Sequence, residues 1–233
     1  MVRILALETT ELLATVAAAS DGDIVAELQL DPRQRSAQSL APGIRSLLET
    51  VGWQPGDVEL VAVTVGPGSF TGLRIGVTTA KTFAYAVGAQ ILGIDTLQAI
   101  AMGMPPQVAS VSVAIDAQRG DVVAQAFCRN ADGWFEPGGP QELLAVEAWF
   151  QRLQPGSAVA GPVLGKLADR LPEGISAVDP QYWPPRAAQV ARLAALLHAA
   201  GRRDDVWSLL PRYSRRSGAE EKRMKAEAAK TQG

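Results

Sequence analysis

The chain has 233 residues, 47% hydrophobic and 20% charged, with a net charge of −2. Such proportions build a sizeable core, in one large domain or two small ones. A single cysteine, Cys128, and a single histidine, His198, exclude an internal disulfide, a cysteine-built metal site and any zinc site that needs two histidines.

In chain order, residues 4–7 form an apolar run that predicts a strand, closed by the polar turn Glu8-Thr9-Thr10-Glu11. That acid comes too early for a signal peptide, and no apolar run reaches the ~18 residues of a spanning helix. A soluble cytoplasmic protein without membrane contact is therefore expected. Residues 12–18 and 24–30 continue as strands around the turn Asp21-Gly22-Asp23. Leu40, Ile44, Leu47, Leu48 and Val51 then share one helix face, with Ser36 as N-cap and Gly52 past the end. Residues 58–65 are almost wholly apolar and β-branched, which suits a strand buried on both faces. A glycine-rich turn leads into a helix over 71–87, a strand over 89–93 and a helix from 95 or 96 to 102. Met104-Pro105-Pro106 reads as a boundary.

Beyond it, residues 108–115 form a second buried strand. It ends at Asp116-Ala117-Gln118-Arg119-Gly120-Asp121, and residues 122–128 pair back. Each half thus places a carboxylate, Glu8 or Asp116, at the exit of its first strand and before a tight turn, a hint of duplication. Helices are expected over 140–153 and 187–200, a strand over 157–160, and a loop with helix over 161–171. The predicted organisation is an N-terminal lobe (1–104), a C-terminal lobe (105–211) and a basic tail (212–233) that is a helix or disordered. Residues 201–233 carry nine Lys/Arg against five Asp/Glu, about +4, leaving about −6 for the rest. The tail reads either as a frayed, solvated end or as a basic arm toward RNA or an acidic partner.

Gly66-Pro67-Gly68-Ser69-Phe70-Thr71-Gly72-Leu73-Arg74-Ile75-Gly76 is the most specific segment. Gly66 and Gly68 admit backbone angles closed to other residues, while Ser69 or Thr71 can cap the helix that follows. Gly72 and Gly76 keep one side of its first turns bare. Three readings stand: a tight structural turn, a packing surface for another protein, or a phosphate site at a helix N-terminus. The loop lacks the Gly-Lys-Ser/Thr of a Walker A motif.

GPGSFTGLRIG after an apolar strand closely resembles the signature of the TsaB (YeaZ) family. The resemblance extends through Val77-Thr78-Thr79-Ala80-Lys81-Thr82-Phe83-Ala84-Tyr85 and residues 93–101. It returns at residues 114–121 and at Pro211-Arg212-Tyr213-Ser214-Arg215. It implies an α/β, two-lobed, actin/Hsp70-like (ASKHA, ribonuclease H-like) duplicated fold. The implied role is a non-catalytic subunit that supports a TsaD-type transferase in making N6-threonylcarbamoyladenosine at position 37 of ANN-decoding tRNAs. A TsaE-type ATPase would join the complex, tRNA would be met through it, and a homodimer would use much the same surface. ATP and Mg are expected only at the level of the complex, with no cofactor for this chain.

By the same resemblance the catalytic relative holds a metal with paired histidines on its first helix. Ser36-Ala37-Gln38-Ser39-Leu40-Ala41-Pro42 has none, and Glu8 stands where Asp is usual. Partner binding would fall on the first two helices, at Leu40, Ile44, Arg74, Val77, Thr78, Ala80 and Lys81, with Arg74 and Lys81 pairing to acids opposite. Gly66, Gly68, Ser69, Thr71, Gly72, Glu8 and Asp116 would form a structural turn or a vestigial phosphate site. Read as local groups, Glu8 and Asp116 satisfy nearby N–H donors. Read as catalytic groups, they serve an ATP-dependent kinase or hydrolase across the interlobe cleft, the rival to the scaffold. A peptidase is a weaker third reading. His198, in a last helical turn, suits a cap.

Overall fold

A computed structural model describes residues 1–31 and 36–215, without the side chains of residues 36 and 37. The expected Ser36 cap and the tail beyond residue 215 lie outside the described residues. The first half of the chain builds β1 (Arg3–Glu8), β2 (Thr15–Ser20), β3 (Asp23–Gln29), α1 (Ser36–Val51), β4 (Leu60–Gly66), α2 (Phe70–Val87), β5 (Gln90–Asp95) and α3 (Thr96–Met102). The second half builds β6 (Ser110–Asp116), β7 (Asp121–Arg129), β8 (Phe135–Pro137), β9 (Glu142–Ala145), α4 (Val146–Arg152), β10 (Ala158–Ala160), α5 (Leu164–Leu167), β11 (Ser176–Ala177) and α6 (Ala187–Ala199).

The two sheets repeat one plan. The first runs β3-β2-β1-β4-β5, and the second runs β8-β7-β6-β10-β11 with β9 also on β7. In each, the opening strand pairs antiparallel with its hairpin partner and parallel with a later strand, β4 or β10. The duplication inferred from Glu8 and Asp116 is therefore carried by the whole architecture.

Burial on both faces explains the unbroken apolar runs. On β1, Leu5 and Leu7 meet Leu40, Ile44 and Leu47 of α1 and Val77 and Ala80 of α2. Ile4 and Ala6, one residue out of phase, meet Val190, Ala191 and Ala194 of α6. The last helix of the chain therefore covers the first sheet. Thr15 Oγ1 and Glu27 Oε1 accept its first N–H groups, from Ala187 at 2.8 Å and Ala188 at 3.0 Å. Conversely, Leu97 and Ile100 of α3 pack on Val111, Val113 and Phe127 of the second sheet. Each half lends its final helix to the other's sheet, so the strands separate on either side of residue 104 while these helices cross over.

One helix was overdrawn. Residues 140–153 divide into β9 and the shorter α4, because Glu142–Ala145 pairs with Asp121–Ala124 of β7. Glu-Leu-Leu-Ala favours helix locally, but the edge of β7 offers it a ladder of backbone partners.

Candidate functional site

Gly66 closes β4 at φ +127°, and a Cβ there would run into the Arg212 carbonyl oxygen. Its counterpart after β10, Gly161, has φ +122° and likewise leaves no room for a Cβ beside the Ala114 carbonyl. Ser69, not Thr71, caps α2, accepting from Gly72 N–H at 3.3 Å. Gly68, Gly72 and Gly76 strip one side of the helix start, and the turn after β1 lies in that seat. A Cβ would strike the Thr10 side chain at Gly68, the Thr9 carbonyl at Gly72 and the Thr9 hydroxyl at Gly76. The Thr9 hydroxyl donates to Gly72 O at 2.8 Å, and Ser69 N–H donates to Thr10 O at 3.1 Å. The bare face thus receives this protein's own turn. A phosphate group does not fit there, because Thr9 and Thr10 occupy the space.

Glu8 lies beneath that turn, wholly buried. Its Oε1 accepts from Thr10 N–H (2.8 Å), the Thr10 hydroxyl and the Thr64 hydroxyl (3.3 Å). Its Oε2 is buried with no partner among the described residues. Burial pushes its pKa up to about 7 against the lowering effect of Thr10, and Glu11 adds to the rise. A carboxyl so enclosed holds the turn from beneath through Oε1.

Asp116 occupies the matching place in the second half. Its Oδ1 accepts from Gln118 N–H and its Oδ2 from Lys166, each at 2.7 Å. Partial burial raises its pKa, but the Lys166 and Gln118 hydrogen bonds outweigh this and hold it below the ordinary range. The acid opposed to Asp116 is Glu11, raised by burial first and by the Asp116 charge second. Sequence reasoning missed Glu11 and Lys166. The signal for Lys166 was the second Gly-Pro, at 161–162, which places residue 166 where Thr71 stands in the first half.

Residues 202–215 form a strap along α2. Asp204 N–H donates to Ile91 O (3.3 Å), Asp204 Oδ2 accepts from Gly93 N–H (2.8 Å), and Arg212 N–H donates to Val65 O (2.6 Å). Lys81 donates to the carbonyls of Trp207 (3.0 Å) and Leu209 (3.1 Å). Arg74 lies 4.0 Å over the Phe70 ring and donates to the Tyr213 hydroxyl at 3.0 Å. The two cations expected to seek acids on a partner are therefore committed to this chain's own strap.

Four other expected contact residues face inward. Leu40, Ile44, Val77 and Ala80 are at most 4% exposed, because their helix faces cover the sheet. Thr78 is exposed, together with Thr71 and Thr82 on α2 and Ala41 and Arg45 on α1. The His198 ring bonds Gln90 Oε1 at 2.6 Å, and its pKa is lowered by burial and by Arg203. Arg203 Nη1 donates to His198 O at 2.8 Å, so the cation at the end of α6 is Arg203 rather than the histidine.

Residues 30–160 match the family model described as TsaD, tRNA N6-adenosine threonylcarbamoyltransferase. The tRNA threonylcarbamoyladenosine biosynthesis protein TsaB of Escherichia coli is 30% identical over 228 residues, covering 93% of this chain and 96% of that protein. TsaB of Bacillus subtilis is 28% identical, covering 94% and 96%. The solved structure of YeaZ from Pseudomonas aeruginosa superposes with a TM-score of 0.79 at 26% identity, covering 91% of this chain and all of that one. With the duplicated fold, the glycine seat and full-length similarity in agreement, the chain belongs to the TsaB (YeaZ) family.

Proposed function

We propose that this chain is a non-catalytic subunit that binds and orders a TsaD-type transferase in forming N6-threonylcarbamoyladenosine in tRNA. The observation that carries the reading is the filled glycine seat. Thr9 and Thr10 take the space at the start of α2, and Glu8 below them is sealed from solvent. The chain's most distinctive segment is thereby used to set α2 rigidly against β1, leaving the outer faces of α1 and α2 side by side on one face of the sheet. Thr71, Thr78 and Ala41 give that surface small side chains, which let another pair of helices approach closely. A homologous transferase domain brings an equivalent pair. The same surface suits a second copy of the chain when the transferase is absent, and a TsaE-type ATPase would join the assembled pair.

Calorimetry of the purified chain with the TsaD-type protein of its own organism, with and without ATP, tests this. One-to-one binding that Thr78→Arg weakens at least ~10-fold is expected, since a bulky charge would sit in the centre of the contact. ATP uptake by the lone chain, without transferase binding, would overturn the subunit reading in favour of a kinase or hydrolase.

A further inference from the structure

The sequence singled out the C-terminal segment as basic, and the subunit role uses none of that charge. The strap starts at the C-terminal end of α2, where Trp207 meets Tyr85 edge to face at a ring separation of 5.1 Å. It finishes at the N-terminal end, where Tyr213 lies 4.4 Å from Phe70. Phe70 and Tyr85 are fifteen residues apart on one helix, so the two aromatic pairs stand about 22 Å apart.

The outer side of this ridge is unusually apolar and aromatic for a surface. Tyr85, Trp207 and Leu210 are 67%, 70% and 69% exposed, and Tyr213 is 40% exposed. Along the strap, a concavity of ≈ 430 Å³ is lined by Arg203, Asp204, Asp205, Ser208, Leu210 and Arg212. Of the strap's two acids, Asp204 is paired with an arginine, whereas Asp205 keeps its charge. Asp204 takes Arg202 and Gly93 N–H, while Asp205 accepts from Ser208 N–H at 2.8 Å. Arg212 is exposed, and its charge acts on the Asp95 carboxylate.

We infer that this ridge is an RNA-binding surface, on which the tRNA to be modified lays a backbone segment and stacks bases. The substrate identity rests on the function proposed above; the ridge itself does not. Exposed aromatic faces accept any base, and arginines beside them take phosphates. The strap itself, residues 202–215, carries four arginines against two aspartates, an excess that complements a polyanion. A protein partner of balanced charge would have no use for that excess. Arg212 takes a phosphate at the concavity, while Trp207 and Tyr85 supply the stacking platform.

The test titrates an in vitro transcribed ANN-decoding tRNA onto the full-length chain alone, across a salt series, and measures binding to the TsaD-type partner separately. Binding in the micromolar range at low salt is expected. Trp207→Ala should weaken it ~10-fold at fixed salt, and Arg212→Glu should lower the log K against log salt slope by at least about one. Both side chains are exposed, so melting temperature and partner affinity should stay unchanged. Absence of tRNA binding by the wild-type chain would overturn the inference, as would variants that bind tRNA normally. Loss of partner binding with tRNA binding intact would reassign the ridge to a protein and also overturn it. A failure of the wild-type chain to bind the partner would count against the subunit reading alone.

Discussion

Replacing Glu8 with glutamine removes a proton-binding group while keeping its shape. In the wild type, burial raises the carboxyl from its ordinary value near 4.5 to about 7. The native protein therefore holds a proton at pH 5–6 that the unfolded chain has already released. Stability falls as pH rises wherever the native state binds more protons. The Glu8 contribution should thus decline from about pH 4.5 and level off above about pH 7. The full span is the pKa difference at 1.36 kcal/mol per unit, about 3 kcal/mol. A glutamine Oε1 can still accept from Thr10 and Thr64, and its amide takes the place of the unpartnered Oε2. The variant should match the wild type within about 1 kcal/mol at pH 5 and exceed it by about 3 kcal/mol at pH 8. Urea denaturation at pH 5, 6, 7 and 8 reads this directly, with a constant m-value as the check on two-state behaviour. Glu11 and Asp116 titrate in both proteins, so the difference between the curves isolates Glu8. Parallel curves across the range would refute the assignment of the proton to Glu8.

Gly72→Ala should cost about 2 kcal/mol or more in the same assay, since its Cβ meets a backbone carbonyl that cannot turn aside. Gly165→Ala, with open space around it, should be neutral or gain ~0.5 kcal/mol. Val77→Arg should lose the folded state, because it buries an unpaired charge in the sheet face at a cost above about 4 kcal/mol. Thr78→Arg, one residue further on, should melt within a few degrees of the wild type. Lys166→Met should raise the Asp116 pKa, followed by NMR titration, because burial then acts against the Gln118 N–H alone; an unmoved Asp116 would refute the pairing.

The strands were readable because burial on both faces writes continuous apolar runs, as at β1, β4 and β6. The amphipathic α1 and the capped α2 were equally plain in their periodicity. The orientation of α2 was not. Its small and polar residues alternate so closely that Val77 and Thr78 could each have faced either way, and only the fit of Thr9 against Gly72 and Gly76 fixes the rotation. The fate of Arg74 and Lys81 was hidden for a different reason. Their partners lie 139 and 126–128 residues away, and a strap held largely by backbone carbonyls carries no side-chain code. Glu8 was legible as a turn residue, but its complete burial depends on a seat that glycines form by what they lack.

The exchange of α3 and α6 between the two sheets bears on how the chain acquires its structure. When the first half has left the ribosome, the face of its sheet carrying Ile4, Ala6, Leu60, Ala62 and Leu92 is still bare, since α3 ends at Met102 and α6 starts only at Ala187. The first sheet then has one finished side and one side that invites association. Neither half can be cut out as an autonomous folding unit without losing a wall of its core. Unfolding should accordingly take both sheets in a single cooperative step, and a fragment ending at residue 104 should need a holdase, or a separately supplied second half, to stay in solution.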